Sequence, residues 1–293
     1  MAKRALLLLL TLCFVLGVAG CGTVTMQNTY DLLRAPVLGG GLDEIQNALK
    51  AYLGGEEPQY KYPRSGEWRS PLLQTDLNGD GRQEAIVLYS VPETATTYLE
   101  KGSMVYIAVL ERVEGVWTVL QDVQGMGTEV ISVEVADLLD GETLQLIVCF
   151  ANANLSSTVF TLYQYIDFRL DKTIQYDYSR YQIGDFTGRG GNDLILVSRS
   201  DQLGGLLLIY MPIRDGHFVS EDFPAPVKLD ANFVSCVNLV PGAAPDGGRL
   251  LVVDGHTATD NGPLASQMIY SSAENELFYT TEDYNPLRGA AAR

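Results

Sequence analysis

An all-β fold made of small sheets in tandem, preceded by one short N-terminal helix, is what this sequence predicts, on three observations. An acidic, glycine-spaced corner, Asp76-Leu77-Asn78-Gly79-Asp80-Gly81-Arg82-Gln83-Glu84, runs straight into the apolar stretch Ala85-Ile86-Val87-Leu88-Tyr89. Related corners recur: Asp137-Leu138-Leu139-Asp140-Gly141 before residues 144–148, and Gly184-Asp185-Phe186-Thr187-Gly188-Arg189-Gly190 before 192–197. A weaker fourth pairs Asn238-Leu239-Val240-Pro241-Gly242 and Asp246-Gly247-Gly248 with residues 250–253, as a lengthened corner stripped of its ligands. Behind each corner come paired strand signals. The first positions, Asp76, Asp137, Asp185 and Asn238, lie 61, 48 and 53 residues apart. That interval is too long for a small solenoid coil and suits a four-stranded blade. The expected architecture is β-propeller-like with about four to five blades, either an incomplete ring or one closed by strands from residues 60–70. A β-sandwich with coincidental Asp-Gly corners is the competing architecture, since evenly spaced short strands mark both.

Residues 1–20 read as a targeting segment. A short basic start with Lys3 and Arg4 precedes an apolar run over 5–18, too short for an ordinary transmembrane span. Val18-Ala19-Gly20-Cys21 then sets small residues before a cysteine and resembles a bacterial lipobox. Cleavage before Cys21 would leave a lipidated amino terminus, whose diacylglyceryl group and acyl chain, such as palmitate, together suffice for stable anchoring. An uncleaved helix or an ordinary secretory signal is the alternative. The expected location is the extracytoplasmic face of a bacterial cell membrane. Residues 21–41 form the lipid-anchored tether, and 42–69 a helix with a lead-in strand. Leu42, Ile45, Leu49 and Leu53 recur at helical spacing, Asp43 and Gln46 form a cap-like pair, and Gly54-Gly55 follows the end. Tyr60, Tyr62 and Trp68 mark the lead-in, as packing rings or as a sugar platform.

Residues 70–284 hold the repeats and 285–293 a loop-like tail. After the first corner, residues 104–110 and 116–120 are strand-like and flank Glu114-Gly115, which predicts a hairpin. Similar pairs are expected at 158–165 with 168–170, 206–211 with 217–219, and 267–270 with 277–280. In the first corner, Asp76, Asn78, Asp80 and Glu84 set side-chain oxygens at alternating positions, and Gly79 and Gly81 permit the curvature that converges them on a hard cation. Ca²⁺ is the expected ion, with Asp76, Asn78, Asp80, Arg82 and Glu84 as the metal set. An EF-hand is excluded, because its bidentate carboxylate would fall at Val87.

This corner resembles the FG-GAP/VCBS-type repeat of β-propeller proteins, in which Asp-x-Asn/Asp-x-Asp-Gly-x-x-Asp/Glu opens a blade strand. The first copy matches throughout. The third keeps Asp185, Thr187 and Asp193 but carries Arg189 where a ligating Asp belongs, a guanidinium able to replace the cation. The second, with Asp137 and Asp140, and the fourth are degenerate. The resemblance covers residues 70–280 and implies fold more than function. Residues 61–70 and the whole layout are also similar to surface lipoproteins of anaerobic Gram-positive bacteria, a resemblance that implies no reaction.

The chain has 20 basic and 36 acidic residues, and loss of Lys3 and Arg4 with the targeting segment takes the basic count to 18, for a net charge of −18. Nucleic acid is excluded as a partner by that charge. Cys149 and Cys236 lie in separate apolar strands, and two buried free thiols are expected rather than a disulfide or zinc site. Catalysis finds little support: there is no Gly-x-Ser-x-Gly elbow, no phosphate-cradling motif, and only His217 and His256, the latter expected in a hydrated loop. Two functions stand. One is a surface module that binds or scaffolds a protein or carbohydrate ligand; the other is a carbohydrate-active or cell-wall hydrolase, which needs a carboxylate pair of raised pKa facing one cleft.

Overall fold

Among the described residues, four antiparallel sheets of four or more strands follow one another along the chain, with one further two-stranded hairpin. The structure is a computed structural model and describes residues 42–91, 104–139, 143–152, 155, 157–186, 192–202, 205–214, 217–218, 226–229, 233–243, 249–257, 265–271 and 277–279. The expected targeting segment and tether with Cys21, the corner residues Asp140, Thr187 and Arg189, and the tail 285–293 lie outside the described residues.

Sheet 1 runs β2 (Leu72–Thr75), β3 (Glu84–Ser90), β4 (Tyr106–Val113) and β5 (Val116–Gln124), with the short β1 (Gln59–Tyr60) added beside β3. Sheet 2 is β6 (Glu129–Ala136), β7 (Gln145–Ala151), β8 (Thr158–Ile166) and β9 (Arg169–Asp177). Sheet 3 is β10 (Arg180–Gly184), β11 (Asp193–Ser200), β12 (Gly205–Met211) and β15 (Val227–Lys228), with the side hairpin β13 (Ile213–Arg214) and β14 (His217–Phe218) inserted before its last strand. Sheet 4 is β16 (Phe233–Ala243), β17 (Arg249–Thr257), β18 (Ala265–Ser271) and β19 (Leu277–Tyr279).

The second strands of the first three sheets are apolar over most of their length, and the reason is visible in the packing. β3 and β7 are buried along their whole length, and β11 over all but its last two residues. Continuous burial means both faces are covered, which an alternating strand would not tolerate. Ile86, Leu88, Ile107 and Val109 of sheet 1 share a core with Val133, Leu146, Val148 and Phe150 of sheet 2. The opposite face of sheet 2, through Ile147, Cys149, Phe160 and Leu162, packs on Leu194, Leu196, Ile209 and Met211 of sheet 3. Sheet 3 in turn presents Ile195, Val197, Leu208 and Tyr210 to Leu239, Leu251, Val253 and Ile269 of sheet 4. Each sheet is therefore stacked face to face on the next in chain order. Cys149 and Cys236 are free and buried, and belong to two different cores.

The helix α1 (Leu42–Tyr52) buries Ile45 and Leu49 completely. It ends as its glycines dictate: Gly54 and Gly55 take φ of 69° and 96°, and donate to Ala51 O and Lys50 O, a Schellman closure that only glycine enters without strain. Tyr52 and Tyr89 both donate to Asp122 of β5 at 2.8 Å, and Arg112 of β4 bridges to Glu44 while lying 4.9 Å over the Trp117 ring. Past β1, the lead-in crosses from sheet 1 to sheet 2, since Lys61 N donates to Leu88 O, and Arg64 N and Ser65 N donate to Val130 O and Ile131 O.

Four expectations about strands need correction. The hairpin at Glu114-Gly115 is as read, with φ of 52° and 84°, but in sheet 2 Phe168 is a turn residue at φ 63° with Asp167 at 51°, so β9 begins one residue later and runs on to Asp177. Residues 217–218 pair only with 213–214, and it is β15 that continues sheet 3 from β12. Asn238 is not a corner position: it sits within β16 opposite Asp254, and the β16–β17 ladder runs on past it to the pair Ala243–Arg249. His256 likewise belongs to β17, opposite Ser235, and not to a loop.

The stacked cores predict a sharp contrast between two truncations. Ile147→Ala, at a fully buried site between sheets 2 and 3, should cost about 2–5 kcal/mol of unfolding free energy in urea titrations. Val116→Ala, 66% exposed, should change it by less than about 0.5 kcal/mol.

Candidate functional site

The first three sheets open their second strands with the same device. The β2–β3 ladder ends at the pair Thr75–Glu84, β6–β7 at Ala136–Gln145 and β10–β11 at Gly184–Asp193. Eight residues lie between the partners in every case. In each turn the second residue, Leu77, Leu138 or Phe186, is buried and belongs to the core facing the next sheet. Its backbone N–H donates to the side chain that begins the second strand: Leu77 N to Glu84 Oε2 at 2.6 Å, Leu138 N to Gln145 Oε1 at 2.7 Å, and Phe186 N to Asp193 Oδ2 at 3.1 Å. These three acceptors are buried, at 1%, 0% and 4% exposure. The turns are also linked to one another, because Leu144 N donates to Leu77 O and Asn192 Nδ2 to Asp137 O.

Only the first turn builds a carboxylate cluster among the described residues. Asp76 accepts from Gly79 N at 2.7 Å and Gly81 N at 2.8 Å; Asn78 accepts from Asp80 N at 3.0 Å. Gly79 and Gly81 stand at φ of 74° and 83°, where a side chain would strain the backbone. Asp80 accepts from Arg82 N, and its Oδ2 is gripped by the Arg82 guanidinium at 2.7 and 3.1 Å. One oxygen from each of Asp76, Asp80 and Glu84 lies within 4.8 Å of the others. Of the expected metal set, Asp76, Asp80 and Glu84 thus converge, while the Asn78 side chain caps the Asp80 N–H and that of Arg82 acts as a clamp on Asp80. Asp137 and Asp185 occupy the first positions of their own turns, and Asp193 opens β11.

Electrostatics single out Glu84. Burial raises its carboxyl to about 7, helped by the charges of Glu111, Asp76 and Asp80 and opposed by the Leu77 N–H. Asp80 moves the other way, held down by its hydrogen bonds from Arg82. Glu111 was not among the expected residues. It lies on β4 next to the Ala85–Leu110 pair, is buried, and accepts from Tyr165 Oη at 2.5 Å. The matching cross-strand pair of sheet 2 is Gln145 and Gln164, which carries no charge. Gln145 too escaped the sequence, although its distance from Asp137 equals that of Glu84 from Asp76 and of Asp193 from Asp185. The two cysteine thiols are pushed up to about 11 by burial, which makes them poor nucleophiles.

This donor set is all oxygen, with carboxylates from both the turn and the strand, and it suits a hard cation such as Ca²⁺ rather than a soft metal. Each carboxylate oxygen that accepts one N–H keeps a second lone pair for a ligand.

No family model matches the chain. A stretch of 52 residues is 35% identical to an undecaprenyl-diphosphatase of Paracoccus denitrificans, covering 17% of this chain and 20% of that protein; the chain thus spans about a fifth of the length of the relative it matches. Among solved structures, a mannose phosphorylase from Leishmania mexicana in complex with phosphate ion aligns over 82% of this chain and 77% of its own at 10% identity, with a TM-score of 0.32. A hypothetical protein from Leishmania major aligns over 79% and 75% at 9% identity, with a TM-score of 0.27. Likeness at that level carries no argument about fold or activity.

Two predictions follow the geometry. Gln145→Leu leaves the buried Leu138 N–H without an acceptor and should cost about 1–3 kcal/mol, read by urea unfolding and by faster hydrogen exchange at Leu138. In chelator, stability contributed by protonated Glu84 is complete below its ordinary value of 4.5 and is lost as pH rises through about 7. Denaturation midpoints between about pH 5 and pH 8 should show that decline, and Glu84→Gln should remove it.

Proposed function

We propose that the chain is a lipid-anchored module on the extracytoplasmic face of a bacterial membrane, whose sheets are blades of a propeller-type scaffold and whose first corner holds a structural Ca²⁺. Its role on this reading is binding or scaffolding a surface or extracellular protein or carbohydrate. The observation that carries the cation is the contrast between Glu84 and Gln145. The fold needs an acceptor at the foot of the second strand, and an amide meets that need in sheet 2. Sheet 1 instead buries a carboxylate beside Glu111, Asp76 and Asp80, a repulsive arrangement that a divalent ion relieves. The anchor rests on the sequence around Cys21. Among the described residues no helix is long and apolar enough to cross a membrane. The hydrolase reading calls for a raised carboxyl in an open cleft, whereas Glu84 and Glu111 are buried at the root of the turn.

Calorimetric titration should show one Ca²⁺ site in the wild-type chain and none in Asp80→Ala, with a gain of about 2.7 kcal/mol in unfolding free energy at a hundredfold excess over Kd. Identical thermograms for the two chains would remove the site. Cys21→Ser should release the protein from the membrane fraction into the medium.

A further inference from the structure

A cleft of about 590 Å³ opens between the first strands of sheets 2 and 3, and no residue of the acidic corner lines it. Its size falls within the ~300–1,000 Å³ range of small-molecule sites. Ser132 and Glu134 reach it from β6, and Tyr178, Arg180, Tyr181 and Gln182 from β10 and the residues just before it. The wall is rigid where the rings meet: Tyr178 and Tyr181 stand 5.9 Å apart, and both contact Phe160 at 6.1 and 5.0 Å. Tyr181 Oη donates to Glu134 Oε2 at 2.7 Å, which orients the carboxylate. The Arg180 guanidinium is exposed and makes no ion pair among the described residues, which is notable in a chain of net charge −16.

We infer that this cleft binds a short neutral glycan. The inference rests on the reading of the chain as a surface binding module and supplies its ligand class. Several classes fail on the lining. An apolar ligand would strip water from Glu134, Arg180 and Gln182 without replacing its hydrogen bonds. A polyanion meets a single guanidinium, a carboxylate and an acidic chain. A metal ion would find one carboxylate and an opposing cation. A sugar satisfies the whole lining: its ring face packs on the tyrosines, its hydroxyls donate to Glu134, and they accept from Arg180 and Gln182. All these groups stand on or beside strands, so the site is preformed.

Saturation-transfer NMR on the Ca²⁺-loaded full chain tests this with maltotriose, cellotriose and triacetylchitotriose, and with trigalacturonate as the anionic counterpart. At least one neutral trisaccharide should give transfer signals, and its Kd should weaken about tenfold in Arg180→Ala and in Glu134→Gln. Arg180 is exposed, so unfolding should not accompany its replacement, which a thermal melt verifies. Silence from all three neutral sugars overturns the inference, as does preferential binding of trigalacturonate. Binding of equal strength in both variants overturns the cleft alone and leaves the binding-module reading intact.

Discussion

A buried side-chain acceptor at the foot of the second strand is the constraint on which the first three sheets depend. Each of these strands is covered on both faces, so its register cannot slip by one residue without exchanging the cores on either side. The eight-residue turn that precedes it must therefore return the chain to a fixed place. The hydrogen bond from Leu77, Leu138 or Phe186 to Glu84, Gln145 or Asp193 does this, pinning the turn backbone to the strand and seating an apolar side chain between sheets. An orphaned buried N–H costs about 1–3 kcal/mol, so turn and strand are held jointly. The turn-to-turn bonds at Leu144 and Asn192 extend the arrangement from one sheet to the next.

Within that scheme the three acceptors separate what the fold needs from what a ligand needs. Gln145 shows that a neutral amide is enough. At the third foot stands the carboxyl of Asp193, and Tyr210 Oη donates to its second oxygen at 3.2 Å. Glu84 is a buried carboxyl set beside further carboxylates, and burial first and those neighbours second push it toward neutrality. On the proposed reading, proton and cation are alternative ways of relieving the same crowding, and a bound Ca²⁺ would couple the stability of the first corner to both pH and the ion.

The corners were legible because aspartate and glycine at fixed offsets have few other uses, and the second strands because a strand buried on both faces is apolar throughout. The helix was legible from Leu42, Ile45 and Leu49, and its end from Gly54 and Gly55. Elsewhere tertiary context prevailed over local signals. In β9 only Leu170 and Ile174 are buried, so its polar run carries almost no strand pattern. Asp167-Phe168 makes a turn without the glycine that usually announces one. Pro241 and Gly242 looked like a corner, yet β16 is the first strand of its sheet, and a proline is tolerated on such an edge. Gln145 and Glu111 were missed for chemical reasons: a search for acids overlooks an amide, and a lone glutamate inside an apolar strand gives no hint of its cross-strand neighbour.

Anomalous diffraction from crystals grown in Ca²⁺ bears most directly on the claim that the first corner's charge serves a cation and its acceptor serves the fold. The account predicts a calcium peak about 2.3–2.6 Å from oxygens of Asp76, Asp80 and Glu84, with the Leu77 N–H still bonded to Glu84. A saturating Ca²⁺ concentration that leaves no peak there, or a peak whose appearance breaks the Leu77 bond and shifts β3, would contradict it.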